Sequence, residues 1–284
     1  MGGSRHTRGS LFRMLVGVLG ALGVVTAGVA IARYVSGMGA RGQGSPVVVA
    51  FGDSLTEGGP SISHPWPAVL GERLARQSGV AAPRVVNAGI SGNRLLRDDV
   101  GTSGLRRFER DALRRPGVRW IIVFEGINDL GFAGSVEPEA PRVTAEELIG
   151  AYRQLIARAR SAGVKIYGGT LLPFEGAASG YFAPDKELVR QAVNAWIRGS
   201  GELDGVVDFD AAVRDPARPG RLRPEYDDAD HLHLNAAHRS GPRRSGKGSD
   251  SAPMRERSSQ PSNVPGPAPW TSSNSTSTAA CLRR

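Results

Sequence analysis

Val47-Val-Val-Ala-Phe51 is an unbroken apolar run closed by Gly52, the pattern of a strand buried on both faces. From Pro67 the period changes. Val69, Leu70 and Leu74 recur at helical spacing, with Glu72, Arg73 and Arg76 on the opposite side. Arg84 to Asn87 predicts a short second strand, and Trp120 to Glu125 (WIIVFE) a clearer third. Thr144 and Glu147 form a capping box ahead of Leu148, Tyr152, Leu155, Ile156 and Ala159, which share one helical face. Lys165 to Gly169 reads as a fourth strand. Asp185 is placed to cap a helix whose inward stripe is Val189, Val193, Trp196 and Ile197, and Gly205 to Asp208 is a fifth strand. Strands separated by helices of this length predict βαβ units with right-handed crossovers: an α/β protein with a parallel sheet covered on both faces. Ligands of such sheets sit beyond the carboxyl ends of the strands.

The two ends of the chain follow other patterns. Arg5, Arg8 and Arg13 precede an uncharged apolar run from Met14 to Ala32, at the lower edge of what spans a bilayer. Basic residues before the run predict a cytoplasmic N-terminus, with everything after it outside. Ala30-Ile31-Ala32 also offers a cleavage site, so residues 1–35 are expected to be a signal peptide or an uncleaved membrane anchor, and Gly-rich residues 36–45 a flexible linker. A single folded domain is expected over 46–238. From residue 239 the chain is rich in Ser, Pro, Arg and Gly without apolar periodicity, which predicts a disordered basic tail over 239–284.

Charge changes the picture only by its distribution. The chain of 284 residues carries a net charge of +9, which by itself invites a nucleic-acid reading. Residues 1–41 hold five Arg and no acid, and residues 238–284 hold eight Lys or Arg against two acids, so the middle is left at about −2. No nucleic-acid partner is expected. The one cysteine, Cys281, lies in the tail and excludes an intrachain disulfide.

Four stretches follow the expected strands and carry candidate chemistry. Gly52-Asp53-Ser54 presents a hydroxyl where the first strand ends, although such a turn alone serves equally as a helix cap. Asn87-Ala-Gly-Ile-Ser-Gly92-Asn93 offers a glycine backbone N–H that can approach a bound oxygen, or simply a turn. Glu125-Gly-Ile-Asn128-Asp129 brings an amide that can point a donor into the same crevice. Asp230-His231-Leu232-His233 supplies a carboxylate three residues before an imidazole, the pair a serine nucleophile needs to lose its proton. Asp227, Asp228 and Asp230 with the two histidines also admit a metal reading, against which a solvated acidic loop is the commoner pattern.

Taken as a set, Ser54, Gly92, Asn128 and His233, with Asp230 in an Asp-x-x-His pattern, resemble the SGNH (GDSL) hydrolases from about Val47 to Asn235. An α/β-hydrolase shares the order Ser, Asp, His but would need Gly-x-Ser-x-Gly around Ser54, and its acid and base lie farther apart. The resemblance implies a three-layer α/β/α, flavodoxin-like fold around a five-stranded parallel sheet. It implies a serine ester hydrolase working through an acyl-enzyme, with Ser54 as nucleophile, His233 as base and Asp230 as its orienting acid. Ser54, Gly92 and Asn128 would form the oxyanion hole, with no cofactor and no metal. Asp53 and Asp129 are expected to support their own turns, and His231 to stand by. Loops 58–66, 132–142 and 174–182 would wall the crevice, with aromatic residues available to a sugar or a short acyl chain. Short-chain acyl or carbohydrate esters are the expected substrates of a monomer held outside the cytoplasm, touching a membrane only through its N-terminal segment.

The resemblance fails after Ala237. Family members continue with a Gly-Tyr pair and a final amphipathic helix, whereas here the chain turns at once to Arg, Ser, Gly and Pro. An altered 3′ end of the coding sequence is expected, a linker or wall-binding tail being the alternative. The second class of function left open is a non-catalytic, surface-displayed protein that binds glycans or cell-wall polymers.

Overall fold

In the computed structural model, which describes residues 45–58, 65–78 and 82–235, the run starting at Val47 forms a central strand buried along its whole length. The expected N-terminal segment, the linker up to residue 44, residues 236–238 at the end of the expected domain and the expected tail over 239–284 lie outside the described residues. Among those described, no helix is long and apolar enough to cross a membrane.

The elements in chain order are β1 (Val47–Gly52), α1 (Ser54–Glu57), α2 (Trp66–Ser78), β2 (Arg84–Gly89) and α3 (Gly104–Phe108), which runs into a π-helical turn over Glu109–Leu113. They continue with β3 (Val118–Phe124), α4 (Ile127–Phe132), α5 (Ala145–Ser161), β4 (Lys165–Gly169), α6 (Pro184–Gly199), β5 (Gly205–Val207) and α7 (Phe209–Val213). All five strands are parallel, in the order β2-β1-β3-β4-β5. The chain leaves β1 toward one edge and returns on the other side as β3, so the connections diverge between these two strands. In sheets of this kind such a divergence marks the place, at the carboxyl ends of the two strands, where ligands bind.

Alternation along the strands divides the core. Val47, Val49 and Phe51 with Ile121 and Val123 face Leu148, Tyr152, Leu155, Val193, Ile197 and Phe108, the inward stripes of α5, α6 and α3. Val48 and Ala50 with Trp120, Ile122 and Phe124 face Leu70 and Leu74 of α2 and Phe209 and Val213 of α7. The result is three layers, α/β/α. Leucines and isoleucines closed off from water as fully as Leu70, Leu74, Ile121 and Ile122 contribute about 1.5–3 kcal/mol each.

The capping box of α5 forms as expected: the Thr144 side chain accepts from the Glu147 N–H and the Glu147 carboxylate accepts from the Thr144 N–H. Other boundaries differ. Strand β2 runs on through Gly89, two residues past its expected end. Asp185 does not cap α6. Ala183 occupies that position, Pro184 opens the helix, and the Asp185 carboxylate lies 3.0 Å from Arg142 instead. The preset φ of proline suits a first helical position and outweighs a capping side chain one residue later. Asp208 is not strand but the cap of α7, accepting from the Ala211 N–H at 3.1 Å.

Candidate active site

The sequence sets up the site locally before the fold assembles it. After β1, Asp53 caps α1 by accepting the Leu55 N–H at 2.9 Å, and Ser54 is the first helical residue. Its N–H therefore has no carbonyl partner within the helix. The carbonyl end of this short helix is closed from outside: Asn87 Nδ2 donates to Thr56 O at 2.8 Å and Glu57 O at 3.1 Å. Gly89 completes the contact, because a Cβ there would lie 2.2 Å from the Glu57 nitrogen. The loop after β2 is thus pressed against the turn that carries Ser54. Gly92, at φ +72°, takes the left-handed conformation that lets this loop reverse, with the Val100 side chain packed over it.

The loop after β3 is tied to the same place. Asn128 Nδ2 donates to Asn93 O at 2.9 Å, and Asp129 accepts the N–H groups of Leu95 at 2.6 Å and Leu96 at 2.9 Å. Asp129 therefore braces the neighbouring loop as well as its own turn, where it also accepts from its own backbone N–H. Asp53 likewise supports its own turn.

The histidine loop arrives from far along the chain. His233 Nε2 lies 2.9 Å from Ser54 Oγ, and His233 Nδ1 lies 2.5 Å from Asp230 Oδ2. A carboxylate accepts only, so Nδ1 carries the proton and Nε2 presents its lone pair to the serine hydroxyl. Asp230 Oδ1 accepts the N–H groups of Leu232 at 2.9 Å and His233 at 2.8 Å. Partial burial alone would raise this carboxyl; the hydrogen bonds from His233 and Leu232 outweigh it and hold Asp230 below the usual aspartate range. It stays ionised through neutral and mildly acidic pH.

His231 is not idle space on the loop. Its Nδ1 lies 2.5 Å from Asp227 Oδ2, and its N–H donates to Asp227 Oδ1 at 3.0 Å. The acidic cluster thus resolves into two separate aspartate–histidine pairs, of which the Asp230–His233 pair reaches Ser54. Ala229 at φ +68° and His231 at φ +60° put the tight reversals into the loop that separate them.

Beneath the site lies a buried polar layer that the sequence did not reveal. Arg107 donates to Gly52 O, Ala88 O and Asn93 Oδ1, each at 2.8 Å, and to Glu125 Oε2 at 3.1 Å. One guanidinium joins the carboxyl ends of β1 and β2 to the residue that follows β3. Burial pushes the Glu125 carboxyl well above its usual range, with Asp53 adding and Arg107 opposing. A carboxylate at the end of a fully apolar strand was the available signal, since a buried acid needs a buried partner.

Burial also pushes Asp53 from its usual 3.8 to about 7. The folded protein then holds a proton between about pH 4 and pH 7 that the unfolded chain has released, so this group's contribution to stability is lost as pH rises through that window. Asp53→Asn keeps the cap acceptor and removes the titration. Its melting temperature should match wild type at pH 4 and exceed it by roughly 3 °C or more at pH 8. Thermal melts at the two pH values decide this, and parallel wild-type and mutant curves would refute it.

The expected aromatic wall is spent on the core. Trp66 packs on Phe209 at 5.3 Å between ring centres, Phe174 on Phe182 at 5.2 Å, and Phe132 on Tyr181 at 6.2 Å. All but Phe182 are buried. Residues 59–64 of the first wall loop lie outside the described residues.

Residues 50–238 match the model of the GDSL-like lipase/acylhydrolase family. No curated protein matches the chain in sequence. Among solved structures, a GDSL-like lipase from Bacteroides thetaiotaomicron aligns at 17% identity and TM-score 0.51, over 74% of this chain and 90% of its own. A G-D-S-L family lipolytic protein from Desulfitobacterium hafniense aligns at 21% identity and TM-score 0.50, over 68% and 93%. Est24, a carbohydrate acetylesterase from Sinorhizobium meliloti, aligns at 16% identity and TM-score 0.50, over 69% and 93%. At these identities the likeness is one of fold.

Proposed function

The chain belongs to the GDSL-like lipase/acylhydrolase family, and from that premise we propose that it is a serine ester hydrolase acting on short-chain acyl or carbohydrate esters. The observation that carries the proposal is the alignment of Ser54 Oγ, His233 and Asp230 in one hydrogen-bonded line at the carboxyl end of β1. His233 Nε2 takes the hydroxyl proton as Ser54 Oγ attacks the ester carbonyl, and Asp230 stabilises the imidazolium. The negative charge on the carbonyl oxygen is met by the N–H groups of Ser54 and Gly92 and by Asn128 Nδ2. His233 then protonates the departing alcohol. Water, deprotonated by the same imidazole, releases the acid from the acyl-enzyme.

The substrate class is supported by the surroundings. Among the described residues the large apolar side chains left exposed are Val100, Val136 and Leu188, too scattered to hold a long acyl chain. A carbohydrate acetylesterase also uses this fold. The apolar run from Met14 to Ala32 supports a location outside the cytoplasm.

Purified protein should hydrolyse p-nitrophenyl acetate faster than the dodecanoate and should be labelled by a fluorophosphonate. Absence of both turnover and labelling would overturn the enzymatic reading, and a preference for the long chain would overturn the substrate class.

A further inference from the structure

Asn128 is held by more than its own helix. Its Nδ2 donates to the Asn93 carbonyl, which can only accept, so its Oδ1 must face the other way. There it receives a hydrogen bond from the Tyr181 hydroxyl at 2.7 Å. Tyr181 comes from the loop before α6, 53 residues away in sequence, and is buried. Its ring lies flat against Gly131, one turn along α4 from Asn128, where a Cβ would approach ring atoms to 2.1 Å. The edges of Phe132 and Phe174 enclose it at 6.2 Å each. Its backbone is fixed as well. The buried Lys186 ammonium donates to Gly180 O at 2.6 Å, Tyr181 O at 3.0 Å and Gly131 O at 2.8 Å, clamping the tyrosine segment to α4.

We infer that Tyr181 is a positioning residue for ester hydrolysis: its hydroxyl locks the Asn128 amide in the one orientation that leaves the second Nδ2 hydrogen for the developing oxyanion. The inference rests on the reading of Asn128 as an oxyanion donor. Without the tyrosine hydroxyl, Asn128 Oδ1 is a buried acceptor with no donor in this contact, and the amide gains by rotating toward other partners. Each donor of this kind is effective because it is aimed in advance and costs no reorganisation during the reaction. Burial pushes the Tyr181 phenol well above its usual range, so the proton it donates is retained across the working pH.

The experiment is a double-mutant cycle on p-nitrophenyl acetate hydrolysis, with folding checked by circular dichroism. Asn128→Ala should lower kcat about 100-fold to 1,000-fold. Tyr181→Phe, which keeps the ring packing, should lower kcat about 10-fold or more with KM nearly unchanged, and should have no further effect in the Asn128→Ala background. Gly131→Ala tests the same point with the hydroxyl still present, because the added methyl displaces the ring; it should lower kcat similarly and again only when Asn128 is in place. If Tyr181→Phe leaves kcat unchanged, or lowers it equally in both backgrounds, the positioning role is refuted while the oxyanion assignment stands. If Asn128→Ala itself leaves kcat unchanged, the oxyanion assignment fails and the role of Tyr181 falls with it.

Discussion

Replacing Ser54 by alanine is expected to lower kcat for ester hydrolysis by about 10⁵-fold or more, with the fold intact. The magnitude follows from losing the covalent route altogether, after which only binding and the oxyanion donors remain to assist water. The fold should survive because, among the described residues, Ser54 Oγ makes a single side-chain hydrogen bond, to His233, worth about 1 kcal/mol. The cap of α1 is the Asp53 side chain, which the substitution does not touch. His233→Ala should cost a similar factor. The double mutant should fall no further, since nucleophile and base act as one unit. Fluorophosphonate labelling offers the sharpest readout: wild type should be labelled and Ser54→Ala should not. Persistent labelling of Ser54→Ala would move the nucleophile elsewhere and sink the assignment.

Replacing Arg107 by alanine is expected to destabilise the domain by about 3–5 kcal/mol, a large part of the 5–15 kcal/mol that keeps a typical domain folded. The guanidinium is fully enclosed and is the common donor to Gly52 O, Ala88 O, Asn93 Oδ1 and Glu125, while its Cζ lies over the Phe51 ring, 3.9 Å from the ring centre. Removing it takes a donor from each of these buried acceptors, of which Gly52 O keeps the Ile90 N–H, and takes away the cation facing Glu125. Arg107→Lys should recover little, because an ammonium cannot present a planar fork to acceptors on three chain segments. Arg107→Met combined with Glu125→Leu should be markedly more stable than Arg107→Ala, since no buried carboxyl is then left without its partner. Urea denaturation measures all four proteins. A loss under about 1 kcal/mol in Arg107→Ala would show that water reaches the layer and satisfies it.

Strands β1, β3 and β4 were readable because a parallel strand covered on both faces is apolar along its buried length, and VVVAF, WIIVF and the IYGG that follows the exposed Lys165 meet that condition without reference to anything else in the chain. Helix α5 was readable for a similar reason: its capping box and apolar stripe are interactions between residues three or four apart. Helices α1, α4 and α7 were not, since four to six residues complete too few turns for a period to show. Helix α3 hid behind its charges. In Gly104-Leu-Arg-Arg-Phe108 both arginines read as solvent-facing, and it is the acceptors brought together from distant segments, Gly52 O, Ala88 O, Asn93 Oδ1 and Glu125, that turn Arg107 inward.

The proposed site residues Ser54, Gly92, Asn128, Asp230 and His233 stand out in the sequence because they form an ordered set of residue types, each at an interruption of the pattern. The family resemblance picked out Asp230 and His233, but residue spacing alone gives no physical reason why this pair, and not the adjacent Asp227–His231 pair, faces the serine. That choice is made by the loop, where positive φ at Ala229 and His231 turns the Asp227–His231 pair away and delivers His233 to a hydroxyl 179 residues upstream. Nor could the sequence show Tyr181, which reads as a crevice aromatic and is found inside, donating to Asn128 across 53 residues of chain. Periodicity and caps report forces between near neighbours, which a few consecutive residues fully specify. The orientation of the Asn128 amide, the pairing of Arg107 with Glu125 and the meeting of Ser54 with His233 exist only once distant segments share a closed space, where every buried donor and acceptor has to find its partner.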